Sequence, residues 1–203
     1  NNKVEFPYGT IKMGGRHRKY LESRNFIPEQ LEQEWDLKGT GIWGLYRNRI
    51  IAPIYFKNTM VSYQGRDITN ISSLRYKACA KRDEIIQHKH TLYGIDKVKG
   101  NRIIVVEGIT DVWRLGAGAV STFGIEWTAE QLYLLSQFKE IFIWYDNQEQ
   151  ATKQAEKLAY ELAMMSEVKI VEGVKGKDPA ELEQAQADDY MAELGFKSKF
   201  SKV

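Results

Sequence analysis

The spacing of apolar positions changes character about halfway along the chain. Over residues 102–186, short β-branched runs alternate with stretches in which apolar residues recur every three or four positions. "RIIVVEG" (102–108) is a continuous apolar run closed by Glu-Gly, the pattern of a buried strand and its turn. "ITDVWRLGA" (109–117) has helical spacing. "AVSTFG" (119–124) predicts a second strand, and "TAEQLYLLSQF" (128–138) a helix with Thr128 as its N-cap. "IFIWY" (141–145) is a third strand, "EQATKQAEKLAYELAMM" (149–165) a long amphipathic helix, and "EVKIVEG" (167–173) a fourth strand. "DPAELEQAQ" (178–186) opens another helix, with Asp178 as cap and Pro179 at the first helical position. This alternation predicts an α/β fold with a mostly parallel sheet flanked by helices.

The first half has another rhythm. "RHRKYLESRNF" and "PEQLEQEW" have the spacing of short helices. "GIWGLYRNRIIAPIYFKNTMVSYQGRDI" (41–68) is rich in aromatic and β-branched residues with "KNT" (57–59) as a turn, which predicts a hairpin in an α+β region. The change of character falls in "DKVKGN" (96–101). Three segments are expected: a basic α+β subdomain over 1–98, the α/β domain over 99–184, and a helical tail over 185–203.

Composition narrows the class. With 203 residues, 43% of them apolar and 28% charged, the chain can bury a sizeable core. No apolar run approaches the roughly 20 residues that span a bilayer, and the first 20 residues hold no signal-peptide core. A single cysteine, Cys79, excludes a disulfide framework and a cysteine-rich zinc site, with a reducing cytoplasm as the default setting. Net charge is only +2, but it is unevenly spread. Residues 1–100 carry 18 Lys and Arg against 10 Asp and Glu; residues 101–203 carry 11 against 17. A basic half beside an acidic half fits two mutually attracting surfaces, or a polyanion-binding half joined to a metal-binding half.

Ligand sites of parallel α/β sheets lie outside the carboxyl ends of the strands. Glu107 ends the first strand of the second half, Asp111 follows four residues later, and Asp146 ends the third strand. Any one of these acids is an ordinary helix cap by itself. Three at one edge repel one another unless a cation neutralises them, and hard oxygen donors without His or Cys suit Mg²⁺ or Mn²⁺.

"VVEGITDVWRLGAGAVSTFG" followed by "IFIWYDNQEQA" resembles the TOPRIM domain of bacterial-type primases, type IA and II topoisomerases and some nucleases. Its pattern is Glu-Gly-x-x-Asp after one strand and Asp-x-Asp after a later one. Glu107, Gly108 and Asp111 match the first motif, and Asp146 the first acid of the second. Further segments resemble the catalytic core of bacterial-type DNA primases in family order: "YLESRNF", "RIIAPI" with a later Gly-Arg, "RYK", "HKHTLYGID" and "GKDPAEL".

The resemblance implies a core that synthesises short RNA primers on single-stranded DNA by metal-dependent nucleotidyl transfer from ribonucleoside triphosphates. It implies Glu107 as catalytic acid or metal ligand near the attacking 3′-hydroxyl, Asp111 and Asp146 as metal ligands, and Mg²⁺ or Mn²⁺ as the cation. Arg49, Arg66 and Lys77 match basic positions that handle template or nucleotide phosphates, and Lys177 would face an incoming triphosphate. It also implies a replicative helicase and a separate zinc-binding domain as partners, in the cytoplasm of a bacterial or virus-infected bacterial cell. The single cysteine leaves no room for the zinc domain, and the length none for a helicase-interacting domain. The chain therefore reads as a core fragment or as a minimal protein whose partners supply those parts. Two positions depart from the pattern: Gln148 stands where the second acid of Asp-x-Asp is expected, and Ala151 where the family has Gly. Gln148 keeps open a TOPRIM nucleic-acid-binding module without polymerase activity; a TOPRIM nuclease is a further alternative. Trp43, Tyr46, Tyr55 and Tyr63 could stack bases, but aromatics alternating in strands are usually core, which is the expectation for them; His88 and His90 are expected on the surface.

Overall fold

In the computed structural model, which describes residues 3–197, the chain divides after His88 into two units. The division falls earlier than the expected boundary at 98/99. Leu92 and Tyr93 are the reason: both are buried in the second unit, where Tyr93 exchanges two backbone hydrogen bonds of 3.1 Å with Ser121.

The first unit is a five-stranded antiparallel sheet in the order β1-β2-β3-β4-β5 with two helices. Its strands are β1 (Thr10–Ile11), β2 (Lys38–Thr40), β3 (Arg49–Phe56), β4 (Thr59–Asp67) and β5 (Tyr76–Ala78). Helices α1 (Gly15–Ser23) and α2 (Pro28–Trp35) precede β2. The β3–β4 hairpin turns through Lys57 and Asn58, both at positive φ (53° and 61°). Two successive left-handed residues are what a two-residue turn needs to match strand twist.

The second unit holds a four-stranded, all-parallel sheet in the order β7-β6-β8-β9. Its elements run β6 (Arg102–Val106), α3 (Ile109–Leu115), β7 (Ala119–Ser121), α4 (Ala129–Leu135), β8 (Glu140–Trp144), α5 (Glu149–Leu162), β9 (Glu167–Ile170) and α6 (Gln184–Glu193). Ile103, Val105, Ile141 and Ile143 bury one face of the sheet against Leu135 of α4 and Ala155, Leu158 and Leu162 of α5. Each such Ile, Val or Leu side chain removed from water stabilises the unit by roughly 2 kcal/mol. On the opposite face Phe142 meets Phe196 and Trp144 meets Tyr190, the latter rings 4.9 Å apart. Residues after 184 thus pack on this sheet; of the expected tail, 198–203 lie outside the described residues.

Two expected elements differ. "DPAELEQAQ" does not form one helix: Pro179–Glu181 make a single tight turn, Leu182 is extended and buried, and α6 starts afresh at Gln184. The "AVSTFG" strand ends at Ser121, because Phe123 adopts φ +58° and turns the chain away. Thr128 does cap α4, its Oγ1 accepting from the Gln131 amide at 3.2 Å.

Candidate functional site

The sheet order makes β6 and β8 the point where successive crossovers part, β6 to β7 on one side and β8 to β9 on the other. The carboxyl ends of such a pair of strands frame a crevice. The register aligns Val106 with Trp144, so Glu107, the next residue on β6, emerges beside the end of β8. The backbone N–H of Asp146 donates to Glu107 Oε1 at 2.8 Å. Two carboxylates far apart in sequence are thereby brought together. The Glu107 carbonyl is fixed too: it accepts from Ser121 Oγ at 2.6 Å and from the Gly124 amide at 2.8 Å. The side chain that the motif singles out is thus held at both its backbone and its carboxylate.

Asp111, buried in the first turn of α3, is differently used. Its Oδ2 accepts from the Gly108 amide at 2.9 Å and its Oδ1 from the Ala180 amide at 3.1 Å. It clamps the Glu-Gly turn to the Pro179–Glu181 turn. Asp111→Ala should therefore leave the buried Ala180 amide and the half-buried Gly108 amide without acceptors and cost about 3 kcal/mol. A urea unfolding curve checks this; an unchanged midpoint would remove the clamp.

Asp178 is the acid that the sequence motifs did not place here. It caps the Pro179–Glu181 turn, Oδ1 accepting from the Glu181 amide at 2.9 Å. Its charge also acts on all three motif acids. Burial raises the pKa of Glu107, and Asp146 and Asp178 raise it further against the opposing amide hydrogen bond. Burial, then Asp178, raises that of Asp111 well above the ordinary range. Burial, then Asp178 and Glu181, pushes Asp146 up to about 6. The available signal was position: Asp178 follows the last strand at the same sheet edge, and its capping role hid it.

A cluster that resists its own ionisation is a site that favours a cation. Among the described residues, no group of three or more His, Cys, Asp or Glu side chains is drawn together as a ready cage. Mg²⁺ does not require one: it is typically held by one or two carboxylates, water and substrate phosphates. Glu107, Asp146 and Asp178 supply donors of that kind. Gln148 stands at the N-cap of α5, exposed and without a side-chain capping bond, and Glu149 pairs with Lys153 at 2.6 Å.

The basic residues divide. In the first unit Arg66 pairs across the strands with Tyr76 and Ile50, whereas Lys77 pairs with Gly65. Adjacent strand positions face opposite sides, so Arg66 and Lys77 project from opposite faces. Arg66 is buried, its Nε donating to Tyr20 Oη at 2.8 Å and its guanidinium 4.7 Å from the Tyr76 ring. Arg49, also buried, shares the Lys77 side and donates to the carbonyls of Gly65 (3.1 Å) and Leu74 (2.9 Å) and to Ser72 Oγ (3.2 Å). Its hydrogen bonds pin the 72–75 segment. Lys177 of the second unit is exposed, one residue before Asp178. His88 lies 2.8 Å from Glu84 Oε1. Tyr63 is buried and Tyr46 and Tyr55 are half-buried, but Trp43 is 76% exposed, contrary to its expected place in the core. It lies on a turn outside the strand alternation that suggested burial.

Residues 104–183 match the family described as Toprim-like, the span that holds all four acids. A DNA primase of Borreliella burgdorferi is 27% identical over 158 residues, covering 72% of this chain and 30% of its own length. The Aquifex aeolicus primase (zinc-binding and RNA polymerase domains) shares the fold with a TM-score of 0.68 at 20% identity, over 89% of this chain and 55% of that one. The primase fragment of the bacteriophage T7 primase-helicase does so at 0.64 and 19%, over 95% and 82%. The chain thus spans about a third of the Borreliella protein and about half of the Aquifex structure. The resemblance to a bacterial-type primase core with a TOPRIM domain, and the α/β fold expected from it, agree with all of these. No described helix is long and apolar enough to cross a membrane.

Proposed function

We propose that this chain is a primase-type catalytic core that joins ribonucleotides on a single-stranded DNA template. The carrying observation is the Glu107–Asp146 contact at the parting of β6 and β8, with Asp178 adding negative charge to both. Glu107, Asp146 and Asp178 would hold a divalent cation, Mg²⁺ or Mn²⁺, which would supply the neutralisation of the triphosphate's charge that phosphoryl transfer needs more than covalent help. Glu107 has one oxygen engaged by the Asp146 amide, which leaves Oε2 to face the 3′-hydroxyl. It accepts the hydroxyl proton, the 3′-oxygen bonds to the α-phosphorus, and pyrophosphate leaves. Asp111 positions both turns from behind. Arg49, Arg66, Lys77 and Lys177 remain our candidates for phosphate contacts, although the first two already hold protein partners. By likeness to the Aquifex and T7 proteins, a zinc-binding domain and a replicative helicase are the expected partners, in a bacterial or phage-infected cytoplasm.

Ribonucleotide incorporation on single-stranded DNA with Mg²⁺ or Mn²⁺ tests the activity. A second reading, a TOPRIM nucleic-acid-binding module without polymerisation, is favoured by one observation, the amide at Gln148. Binding without incorporation, with partner proteins supplied, would select it.

The cation site has its own test. Burial makes both Glu107 and Asp146 harder to ionise folded than unfolded; for Asp146, pushed up from 3.8 to about 6, the folded state holds an extra proton between about pH 4 and 6. The contribution of Asp146 to stability is present below about pH 4 and lost as pH rises through about 6. A cation replaces the protons. Mn²⁺ should therefore raise the melting temperature more at about pH 7.5 than at about pH 5. Asp146→Asn should raise the metal-free melting temperature at the higher pH by roughly 3 °C and blunt the Mn²⁺ response. An equal Mn²⁺ shift at both pH values would count against the site.

A further inference from the structure

Arg114 belongs to none of the motifs, yet it is among the most deeply buried side chains of the second unit, 1% exposed in the last turn of α3. A guanidinium withdrawn from water is costly unless acceptors meet its N–H groups. Arg114 Nη1 donates to Gln184 Oε1 at 3.1 Å, and Nη2 to the Ala180 carbonyl at 3.3 Å. Gln184 answers in turn: its Nε2 donates to the Arg114 carbonyl and to Asp188 Oδ1, both at 2.9 Å. The planar fork is thereby held in one orientation. An apolar side chain of similar volume would serve packing alone, so the use of the guanidinium lies in what it points at.

The Ala180 carbonyl and the Glu181 N–H are opposite ends of one planar peptide unit. Arg114 holds the carbonyl end, and the N–H end donates to Asp178 Oδ1 at 2.9 Å. A hydrogen bond at the carbonyl also strengthens the donor at the far end of the same unit. The preceding peptide is fixed from the same helix, since the Ala180 amide donates to Asp111 Oδ1 at 3.1 Å. Asp111 and Arg114 stand three residues apart on α3 and so share a face. Because α3 begins directly after Gly108, one short helix fixes both sides of the crevice. Its start follows the Glu107 turn, and its inner face holds the two successive peptides that lead to Asp178.

We propose that Arg114 is a positioning residue for the cation site: through the Ala180–Glu181 peptide it sets the direction in which Asp178 presents its carboxylate. This rests on the reading of Glu107, Asp146 and Asp178 as cation donors given above. Arg114 itself touches neither cation nor substrate. Without it the Ala180–Glu181 peptide is free to rotate about its one remaining anchor, and the Asp178 carboxylate swings with it. Groups that orient a metal-binding carboxylate by hydrogen bonding govern affinity for the metal nearly as strongly as the carboxylate does.

The test measures Mn²⁺ binding to the full chain by electron paramagnetic resonance of the unbound ion, without triphosphate or nucleic acid. Arg114→Met should raise the dissociation constant about tenfold, while the melting temperature falls by only about 3 °C. Gln184→Ala, a change at a half-buried side chain, should shift the constant in the same direction. Asp178→Asn should weaken binding at least as much as Arg114→Met. Adding Arg114→Met to Asp178→Asn should weaken it no further, because one residue acts through the other. In ribonucleotide incorporation, Arg114→Met should raise the Mn²⁺ needed for half-maximal rate and leave the rate at saturating Mn²⁺ within about twofold of wild type. Wild-type affinity in both Arg114→Met and Gln184→Ala would mean that Arg114 positions nothing. A further loss in the double variant would mean that it supports the fold rather than Asp178, and would equally overturn the proposal. If Asp178→Asn binds Mn²⁺ as wild type does, the cation site falls and the role of Arg114 with it. If Asp178→Asn loses affinity and Arg114→Met does not, the role of Arg114 alone falls. A chain that incorporates nothing yet shows the expected binding pattern removes the catalytic reading and leaves this one standing.

Discussion

Glu107→Gln should lower ribonucleotide incorporation roughly a thousandfold and leave the melting temperature within about 2 °C of wild type or slightly above it. The carboxamide oxygen of the substituted side chain can still accept from the Asp146 amide, which in the wild type donates to Glu107 Oε1 at 2.8 Å. The backbone of residue 107 stays fixed through Ser121 and Gly124. What disappears is the negative charge, and with it the base and one cation donor. Loss of that charge relieves repulsion with Asp146 and Asp178, which raises stability rather than lowering it. Template binding in chelator should be unchanged. If the variant incorporates ribonucleotides at the wild-type rate, Glu107 is not the catalytic acid. If wild type and variant are equally inert with partner proteins supplied, the catalytic reading fails as a whole.

The parallel sheet was legible because its two central strands, β6 and β8, announce themselves twice: by β-branched or aromatic runs such as "RIIVV", and by a carboxylate one or two residues after each, Glu107 and Asp146. Periodicity could not give the order of the strands. The order β7-β6-β8-β9, with β6 and β8 adjacent, is what turns two distant motifs into one crevice. The errors have local causes. Phe123 in a left-handed conformation ends β7 early, and no composition signal marks a bulky residue for that role. Leu182, buried in an extended conformation, interrupts what helical spacing alone would join. Trp43 reads as core by an alternation that stops at the turn before β3.

The basic residues illustrate a limit of motif transfer. Arg49, Arg66 and Lys77 read as one phosphate-binding set along the sequence, yet strand register places Arg66 opposite to Lys77. Register depends on which residues pair across the hairpin, and a bulge between Ile54 and Tyr55 shifts that pairing midway. Arg49 further shows that a buried arginine can serve a fold by bonding carbonyls, a use that leaves the same sequence trace as phosphate contact.

Asp178→Asn should reduce incorporation roughly a hundredfold and raise the cation concentration needed for half-maximal activity, and Gln148→Asp should restore part of both losses. Asp178 is the acid that raises the pKa of Glu107, Asp111 and Asp146 together, so its charge reaches the whole crevice. Gln148 leaves the second motif one charge short. If Asp178 offsets that deficit, removing it should expose the deficit, and a carboxylate at 148 should fill it. The asparagine keeps an oxygen for the Glu181 amide, so the turn should survive. An aspartate side chain at position 148 also suits the N-cap of α5, where Gln148 makes no capping bond, and should add about 1 kcal/mol of helix stability. Stability and activity therefore separate the two roles of that substitution. A thermal shift from Gln148→Asp without any rescue of Asp178→Asn would mean that position 148 only caps the helix, and that the missing acid was never needed.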